Sequence, residues 1–324
     1  MTTHRERIQA AIKGETIDRP PVALWRHFPV DDQSPETLAN ATLHFQSNYD
    51  FDLVKVTPTS SFSVKDWGVD DEWVGDTEGT RRYTQRVIQD ARDWESLPLL
   101  EPSAPHLARQ LACLRIIRAQ LGPDTPLLQT IFSPLAQAKN LAGNDVLLDH
   151  LRNRPSSVLK GLKTIADSTR RFVEAARGTG IDGIFYAVQH AQENILSYEE
   201  YKLFGLLFDM QSIGPARELW CNMLHLHGNQ VHFELVNELP FQIVNWHDRE
   251  SHPSLAEAQK LFAGAVCGGM RQDTLVYRDQ AQVREEAADA IQQTGGKRLI
   301  LGTGCVVPVI ASHGNILTAR KSVE

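Results

Sequence analysis

The chain has 324 residues, of which 42% are hydrophobic and 23% are charged. This balance allows a large buried core and excludes a disordered, collagenous or coiled-coil protein. The formal net charge of −7 argues against a nucleic-acid-binding surface. The polar, charged start and the lack of a long apolar run predict a cytoplasmic protein with no signal peptide and no membrane contact. Four cysteines are too few for a disulfide framework at this length, so free thiols or metal ligands are expected.

Short apolar runs alternate with segments of helical period along the whole chain. We predict eight buried strands, since the runs are rich in branched or aromatic side chains and end at turn-forming residues. They are Pro21–Phe28, Phe51–Pro58, Pro126–Ser133, Ile181–Val188, Trp220–His227, Phe241–Asp248, Ala265–Met270 and Arg298–Val307. Apolar residues recur at helical spacing over 103–121 and 156–177, and Ser197 with Glu200 has the spacing of a capping box.

This order of elements predicts an α/β protein with a parallel sheet. Eight strands favour a single (β/α)₈ barrel over an open doubly wound sheet, and no glycine-rich phosphate-binding motif follows any strand. The segment 67–90 breaks the alternation around the sequence DTEGT and predicts a hairpin inserted after the second strand. We expect residues 1–324 to form one domain.

In such a barrel the active site lies at the carboxyl ends of the strands, which selects the candidate residues. The fifth predicted strand ends in His225-Leu226-His227, and alternate residues of a strand point to the same face. Cys305 lies at the end of the eighth strand. Two imidazoles and a thiolate form a ligand set that suits catalytic zinc, with one position open. Histidines bonded to backbone and a cysteine packed in the core are the alternative interpretation.

Other polar residues lie at the ends of the remaining strands. The distance along the chain from a strand end also separates the roles expected for the other three cysteines. Cys113 and Cys221 are predicted to be packing residues, whereas Cys267 lies near the barrel mouth and is a spare candidate ligand. The further strand-end candidates are Arg26, His27, Gln129, Gln189, His190, Asn245, His247 and Asp248.

At these residues the sequence resembles the uroporphyrinogen decarboxylase superfamily over nearly its whole length. The similar motifs are Arg5-Glu6-Arg7, Asp18-Arg19-Pro20-Pro21-Val22, Phe132-Ser133-Pro134 and Gly304-Cys305 followed by Asn315-Ile316. The resemblance implies a (β/α)₈ barrel. It also implies one of two chemistries, because the superfamily contains metal-free decarboxylases and zinc-dependent methylcobamide:coenzyme M methyltransferases.

The decarboxylase branch acts on uroporphyrinogen in porphyrin biosynthesis and holds its carboxylates with two arginines in an RxxxR segment. Arg26 matches the first arginine, but Val30 stands at the second position. The methyltransferase branch has a zinc motif H-x-C with a later cysteine, and here His225-x-His227 and Cys305 occupy these places. With His227 instead of a cysteine, the site carries one negative charge less and makes the metal a stronger Lewis acid.

The resemblance therefore implies a zinc-dependent methyltransferase that activates a thiol or similar acceptor, with a corrinoid such as methylcobalamin as methyl donor. A metal-free decarboxylase and a non-catalytic tetrapyrrole-binding barrel remain alternatives. The expected partners are a small-molecule substrate and a corrinoid protein, and the chain is expected to be a monomer or homodimer.

Each candidate residue has an expected role. The fourth zinc ligand is left open among Glu193, His247 and Asp248, and Arg26 is expected to meet an anionic substrate group or to form an internal salt bridge. The candidate metal ligands are His225, His227 and Cys305; the candidate catalytic residues are Arg26, His190, His247 and Asp248; the candidate cofactor-binding residues are Gln129, Gln189 and Asn245.

Overall fold

The computed structural model describes residues 2–324. Its strands are β1 (Val54–Val56), β2 (Asp70–Glu72), β3 (Arg82–Gln85), β4 (Leu127–Phe132), β5 (Gly183–Val188), β6 (Met223–Leu226), β7 (Ile243–Trp246), β8 (Ala265–Met270) and β9 (Leu299–Thr303). Its α-helices are α1 (His4–Lys13), α2 (Pro35–Tyr49), α3 (Asp93–Ser96), α4 (Pro105–Leu121), α5 (Pro134–Ala142), α6 (Asn144–Asn153), α7 (Pro155–Arg177), α8 (Tyr198–Tyr201), α9 (Leu207–Ser212), α10 (Leu235–Glu238), α11 (Leu255–Leu261), α12 (Gln272–Tyr277), α13 (Gln280–Thr294) and α14 (His313–Lys321). Short 3₁₀-helices at Asp31–Gln33, Lys65–Trp67 and Gly214–Glu218 and a π-helix at Lys202–Leu206 complete the described elements.

The main sheet has seven parallel strands in the order β1-β4-β5-β6-β7-β8-β9, so the fold is α/β and resembles a TIM barrel. Each of these strands lies within one of the seven later predicted runs. Their residues are almost all buried, which explains the continuous apolar runs in the sequence. Helices α4 and α7 lie at the segments of helical period, and Ser197 with Glu200 forms the predicted capping box.

The first predicted strand, Pro21–Phe28, is not a regular strand. It is an extended segment with one isolated parallel bridge, Val22 to Leu301 in β9. The Ala23 N–H donates to the Leu301 carbonyl at 2.9 Å, and the Asp52 N–H donates to the Val22 carbonyl at 2.8 Å. Pro20 and Pro21 have no N–H groups, so the start of the segment cannot donate to a ladder. The segment therefore lies between β9 and β1 with only a few sheet hydrogen bonds.

The segment 67–90 contains the second sheet, the antiparallel pair β2–β3. The chain between these strands includes residues 76–80, here called the strap, which contact the carboxyl edge of the main sheet. The Val309 N–H donates to the Thr77 carbonyl at 2.7 Å, and Gln272 Nε2 donates to Glu78 Oε1 at 3.2 Å. This sheet thus brings the strap next to residues 305–309, which follow β9.

None of the helices within residues 2–324 combines the length and the apolar composition that crossing a membrane would require.

Candidate metal centre

The register of the sheet places one row of side chains next to one another on its inner face. Ala187 in β5 is the partner of His225 in β6, which is the partner of Asn245 in β7, which is the partner of Cys267 in β8. Since paired residues of adjacent parallel strands point to the same face, His225 and Asn245 are neighbours. Their side chains meet at 2.6 Å, from His225 Nδ1 to Asn245 Oδ1.

Four side chains with metal-binding atoms converge at the carboxyl end of this row. One ligand-type atom from each of His225, His227, His247 and Cys305 lies within 4.8 Å of the others. Cys305 Sγ is 3.7 Å from His225 Nε2 and 3.8 Å from His227 Nδ1. Tetrahedral zinc, with bonds of about 2.3 Å to sulfur and about 2.0 Å to nitrogen, would separate sulfur and nitrogen by about 3.5 Å. These distances therefore fit a shared zinc ion.

Asn245 determines which nitrogen of His225 carries the proton. The Asn245 amide donates from Nδ2 to the carbonyls of Cys267 at 2.9 Å and Thr303 at 3.0 Å, so its Oδ1 must face His225. An amide oxygen only accepts, and His225 Nδ1 is therefore the protonated nitrogen. The lone pair of Nε2 is therefore free and faces Cys305, as metal coordination requires.

His247 contributes a nitrogen that the described residues leave unsatisfied. His247 Nε2 is buried and has no hydrogen-bond partner within residues 2–324, whereas Nδ1 lies 3.5 Å from a carboxylate oxygen of Glu250. Buried polar atoms are nearly always paired, so this unpaired nitrogen among other ligand-type groups is available to coordinate a metal.

The electrostatic environment favours neutral imidazoles and opposes a free thiolate. Burial lowers the pKa of His225 well below its ordinary value and that of His227 to about 4, so both are available as neutral ligands. Burial, followed by the charge of Glu78, raises the pKa of Cys305 to about 12. A bound dication would reverse this shift, because thiolates are stabilised by metal coordination.

Two lysines near the cluster, Lys55, which is buried, and Lys139, which is half-buried, were missed by the sequence reasoning. Lys55 in β1 is only 6% exposed, and its Nζ lies 4.5 Å from the ring centroid of Phe185, whose ring stacks on His225. Lys139 in α5 donates from Nζ to Gln189 Oε1 at 2.9 Å. Burial lowers the pKa of Lys55 to about 7 and that of Lys139 to about 8. The signal for Lys55 was a lone cation within the apolar run FDLVKVTP.

Two other sequence candidates lie near the cluster. His190, the residue after Gln189, is 2% exposed, and its Nδ1 has no partner within residues 2–324. Its pKa falls to about 3 through burial and then through the charges of Lys139 and His227. The structure therefore brings His190 and Gln189 to the same side as His227.

Three sequence candidates form their contacts elsewhere. The Arg26 guanidinium packs on the rings of Phe28 and Phe45, and Gln129 accepts a hydrogen bond from Gln110 of α4 at 2.7 Å. Both oxygens of Asp248 accept from the Gly269 N–H at 3.1 Å, and burial raises the pKa of this carboxyl to about 7. Glu193 is exposed. None of these residues belongs to the four-residue cluster.

The remaining cysteines are buried free thiols. Cys113 lies in α4, and Cys221 precedes β6. Cys267 is in the row beside Asn245, but it is not a member of the cluster. Of the four thiols, only Cys305 is placed with the histidines.

Comparison with known families identifies the chain. The family model for uroporphyrinogen decarboxylase (URO-D) matches residues 3–324. The chain belongs to the uroporphyrinogen decarboxylase family. No curated protein matches it in sequence.

Solved structures share this family member's fold at low sequence identity. A methyltransferase from Methanosarcina mazei is 17% identical with a TM-score of 0.87, covering 99% of this chain and 98% of that one. A B12-independent methionine synthase from Shewanella sp. W3-18-1, in complex with selenomethionine, is 13% identical with a TM-score of 0.62, over 96% and 95%. A putative vitamin-B12-independent methionine synthase from Listeria monocytogenes is 10% identical with a TM-score of 0.57, over the same shares.

Proposed function

We propose that this protein is a zinc-dependent methyltransferase that binds a thiol or a similar acceptor at its metal centre and takes the methyl group from a corrinoid. The convergence of three histidines and Cys305 at the carboxyl end of the sheet carries this proposal. The chemistry of the donor set supports zinc, because imidazole and thiolate are its preferred protein ligands. The fold shared with a methyltransferase and two methionine synthases supports methyl transfer as the reaction class.

His225, His227 and Cys305 would be the permanent ligands, and His247 the exchangeable fourth. His247 suits exchange because it follows the end of β7 and has the Glu250 carboxylate within 3.5 Å of Nδ1 as an alternative partner. Bound zinc would supply a Lewis acid that lowers the pKa of an acceptor thiol. With one thiolate among the protein ligands, the positive charge at the centre is larger than with two.

The surrounding residues would orient the ligands and shield the acceptor from water. Asn245 keeps the His225 proton on Nδ1, and the strap covers the site from the side of Cys305, where Gln272 bonds both Glu78 and the Val306 carbonyl. His190 and Gln189 would line the acceptor pocket beside Lys139. In this proposal Arg26, Gln129 and Asp248 stabilise the fold and take no part in the chemistry.

We treat the sheet as a closed barrel in which residues 21–25 act as the first strand. The hydrogen bonds of Ala23 to Leu301 and of Asp52 to Val22 support this closure. In a closed barrel the cluster, the strap and the Lys55 side chain share one mouth.

A decarboxylase that acts on uroporphyrinogen is the competing function. Such a substrate carries many carboxylates and needs several cations to hold it. The only arginine that matches the decarboxylase pair, Arg26, packs on Phe28 and Phe45 instead. The contacts of Arg26 therefore disfavour this function.

Methyl transfer can be tested with methylcobalamin and simple thiols. The protein is stripped with a chelator, reloaded with zinc and incubated with methylcobalamin and a thiol, and the methyl thioether is measured by mass spectrometry. We expect product only with zinc, loss of product in Cys305→Ala and retention in the control Cys113→Ala. Equal product before and after zinc removal, or none with any thiol but carboxylate loss from uroporphyrinogen, would overturn the proposal.

A further inference from the structure

The two histidines at the end of β6 are held in different ways. The His225 ring is oriented through its own Nδ1, which bonds Asn245 Oδ1 at 2.6 Å. Among residues 2–324, the His227 ring has only the Cys305 thiol as a hydrogen-bond partner, 3.8 Å from Nδ1. His227 also lies one position beyond Leu226, the last residue of β6. The imidazole of His227 is therefore placed by the main chain around it.

Gln192 joins the loop after β5 to the loop that carries His227. Its side chain is buried and uses both ends of its amide. Nε2 donates to the Gln189 carbonyl at 2.8 Å, and Oε1 accepts from the Asn229 N–H at 3.1 Å. Because the amide nitrogen only donates and the oxygen only accepts, these two bonds fix the orientation of the amide. Gln192 thus connects the residue before His190 with a residue two positions after His227.

Gly228, the residue after His227, lies directly against this side chain. Its φ of +96° is in the left-handed region, and a Cβ there would lie 2.2 Å from Gln192 Oε1. Glycine adopts this backbone at low cost and leaves room for the amide. The turn that follows His227 is therefore packed against the Gln192 amide without space for a further methyl group.

Backbone contacts place the same two loops side by side, but farther from the histidine. The Glu193 N–H donates to the Gln230 carbonyl at 3.0 Å, and Gln192 forms an antiparallel bridge with Val231. These contacts lie three or more positions after His227, whereas the Gln192 amide acts two positions after it. The side chain of Gln192 is thus the nearer of the two connections.

The nitrogen that His227 presents makes its position sensitive to the main chain. His227 faces Cys305 with Nδ1, whereas His225 faces it with Nε2. Nδ1 is bonded to the first carbon of the ring and Nε2 is on the far side, so the two nitrogens are not equivalent as ligands. A shift of the main chain at residue 227 therefore moves the donor atom directly.

We propose that Gln192 is the positioning residue for His227 and keeps its Nδ1 directed at the metal shared with Cys305. The inference rests on the proposed metal centre and adds to it a residue outside the four-residue cluster. Since the same amide holds the Gln189 carbonyl, it also connects this ligand to the wall of the proposed acceptor pocket. Its loss should weaken zinc binding by about 10- to 100-fold, the usual effect of losing a group that orients a ligand.

Gln192→Met tests this role, because methionine keeps most of the volume and removes both hydrogen bonds. The zinc affinity is measured by competition with a chromogenic chelator, and the ligand set is followed by the visible absorption of the cobalt(II)-substituted protein. We expect the weaker zinc binding together with a changed cobalt spectrum, as water replaces the His227 nitrogen. Gly228→Ala reaches the same contact from the other side, so the same changes are expected from it even if Gln192→Met does not fold.

Gln137→Met is the matched control. Gln137 is also a buried amide, and its Nε2 donates at 2.8 Å to the carbonyl of Phe132, the last residue of β4. Its loss should leave the zinc affinity and the cobalt spectrum unchanged, whatever it costs in stability. Urea denaturation of both glutamine variants measures that cost separately.

Combination with ligand variants assigns the effect to one histidine. In the His227→Ala background, Gln192→Met should change the zinc affinity no further, because the ligand that it positions is gone. In the His225→Ala background, Gln192→Met should still weaken binding by about tenfold or more.

The outcomes separate this inference from the proposed function. If the two glutamine variants change zinc binding equally, or if Gln192→Met acts equally in both histidine backgrounds, the positioning role is wrong and the metal centre stands. The role is also wrong if neither Gln192→Met nor Gly228→Ala alters the zinc affinity. If the wild type binds neither zinc nor cobalt, the metal-centre proposal fails, and this inference fails with it.

Discussion

At the scale of single residues, Asn245 connects the backbone of the sheet to the proposed metal centre. Its two amide protons are used by the carbonyls of Cys267 and Thr303, so its oxygen is available only to His225. The orientation of the imidazole thus depends on the register of β6 to β9. Partners of this kind orient metal ligands and raise their basicity.

Replacing Asn245 by leucine should weaken metal binding by about 10- to 100-fold, the usual effect of losing such a partner. The leucine cannot accept the His225 Nδ1 proton, so the tautomer is no longer fixed. The zinc dissociation constant is measured by competition with a chromogenic chelator.

Gln129→Leu is the matched control, because Gln129 is also a buried amide but bonds Gln110 in the helix layer. It should leave the zinc affinity unchanged. A zinc affinity of Asn245→Leu equal to that of the wild type would show that the Asn245 hydrogen bond does not orient a metal ligand.

Some site residues could be predicted from the sequence and others could not. The strand period of two predicts that His225 and His227 share a face, and the sheet places Cys305 beside them. The role of Asn245 depends on pairing between strands twenty residues apart, which no local pattern encodes. Alternate side chains of an extended segment point to opposite faces, so a shift of one residue decides whether Trp25 or Arg26 points inward. The sequence does not determine which of the two points inward, because this segment is irregular.

At the scale of elements, Gly79 allows the strap to contact the edge of the main sheet. Gly79 has φ of +79°, and a Cβ there would lie 2.5 Å from the Cβ of His27. Gly75 in the same connection has φ of +86°, but a Cβ added there would have no atom within 4 Å. Of these two glycines, only Gly79 therefore combines a left-handed backbone with close packing.

We expect Gly75→Ala to lower the free energy of unfolding by about 1 kcal/mol, the cost of a side chain at positive φ. Gly79→Ala should lower it by roughly a further 1–3 kcal/mol, the cost of overpacking. Urea denaturation of both variants measures the difference. Equal losses in the two variants would show that the strap is not packed against His27.

The long, periodic elements were predicted well, because burial on one helix face or on both sheet faces leaves a clear pattern. The seven strands and helices α4 and α7 lie where the sequence placed them. The first strand was wrong as a regular element, since adjacent prolines remove the donors at its start and only Val22 forms a bridge to β9.

At the scale of the whole molecule, Asp52 connects the amino-terminal region to the sheet. Its carboxylate, which is fully buried, accepts hydrogen bonds from His4, Arg7, Arg19 and the Val22 N–H. Burial opposes its ionisation, but the hydrogen bonds from His4 and Arg19 outweigh burial and lower the pKa of Asp52 to about 2. Ionised Asp52 therefore stabilises the fold.

The lowered pKa of Asp52 predicts how the free energy of unfolding changes with pH. The stabilisation is present above an unfolded pKa of about 3.9 and is lost as the pH falls toward 2, with an amplitude of about 2 kcal/mol. Asp52→Asn should lower the free energy of unfolding by at least about that amount at pH 7, because buried arginines lose their partner. The difference from the wild type should become smaller below pH 4.

Urea denaturation at several pH values checks this prediction. Asp18→Asn is the control, since Asp18 also binds Arg7 but its side chain is 43% exposed, and it should cost less than about 1 kcal/mol. A constant difference between Asp52→Asn and the wild type from pH 7 to pH 2.5 would contradict the role assigned to Asp52.

The zinc content of the protein decides whether the four-residue cluster is a metal centre. The protein is purified without added metal, and its metals are measured by mass spectrometry together with those of Cys305→Ala and Cys113→Ala. We predict about one zinc per chain in the wild type and in Cys113→Ala, and a loss in Cys305→Ala. A wild-type protein that contains no zinc and takes up none when zinc is added would contradict the metal centre.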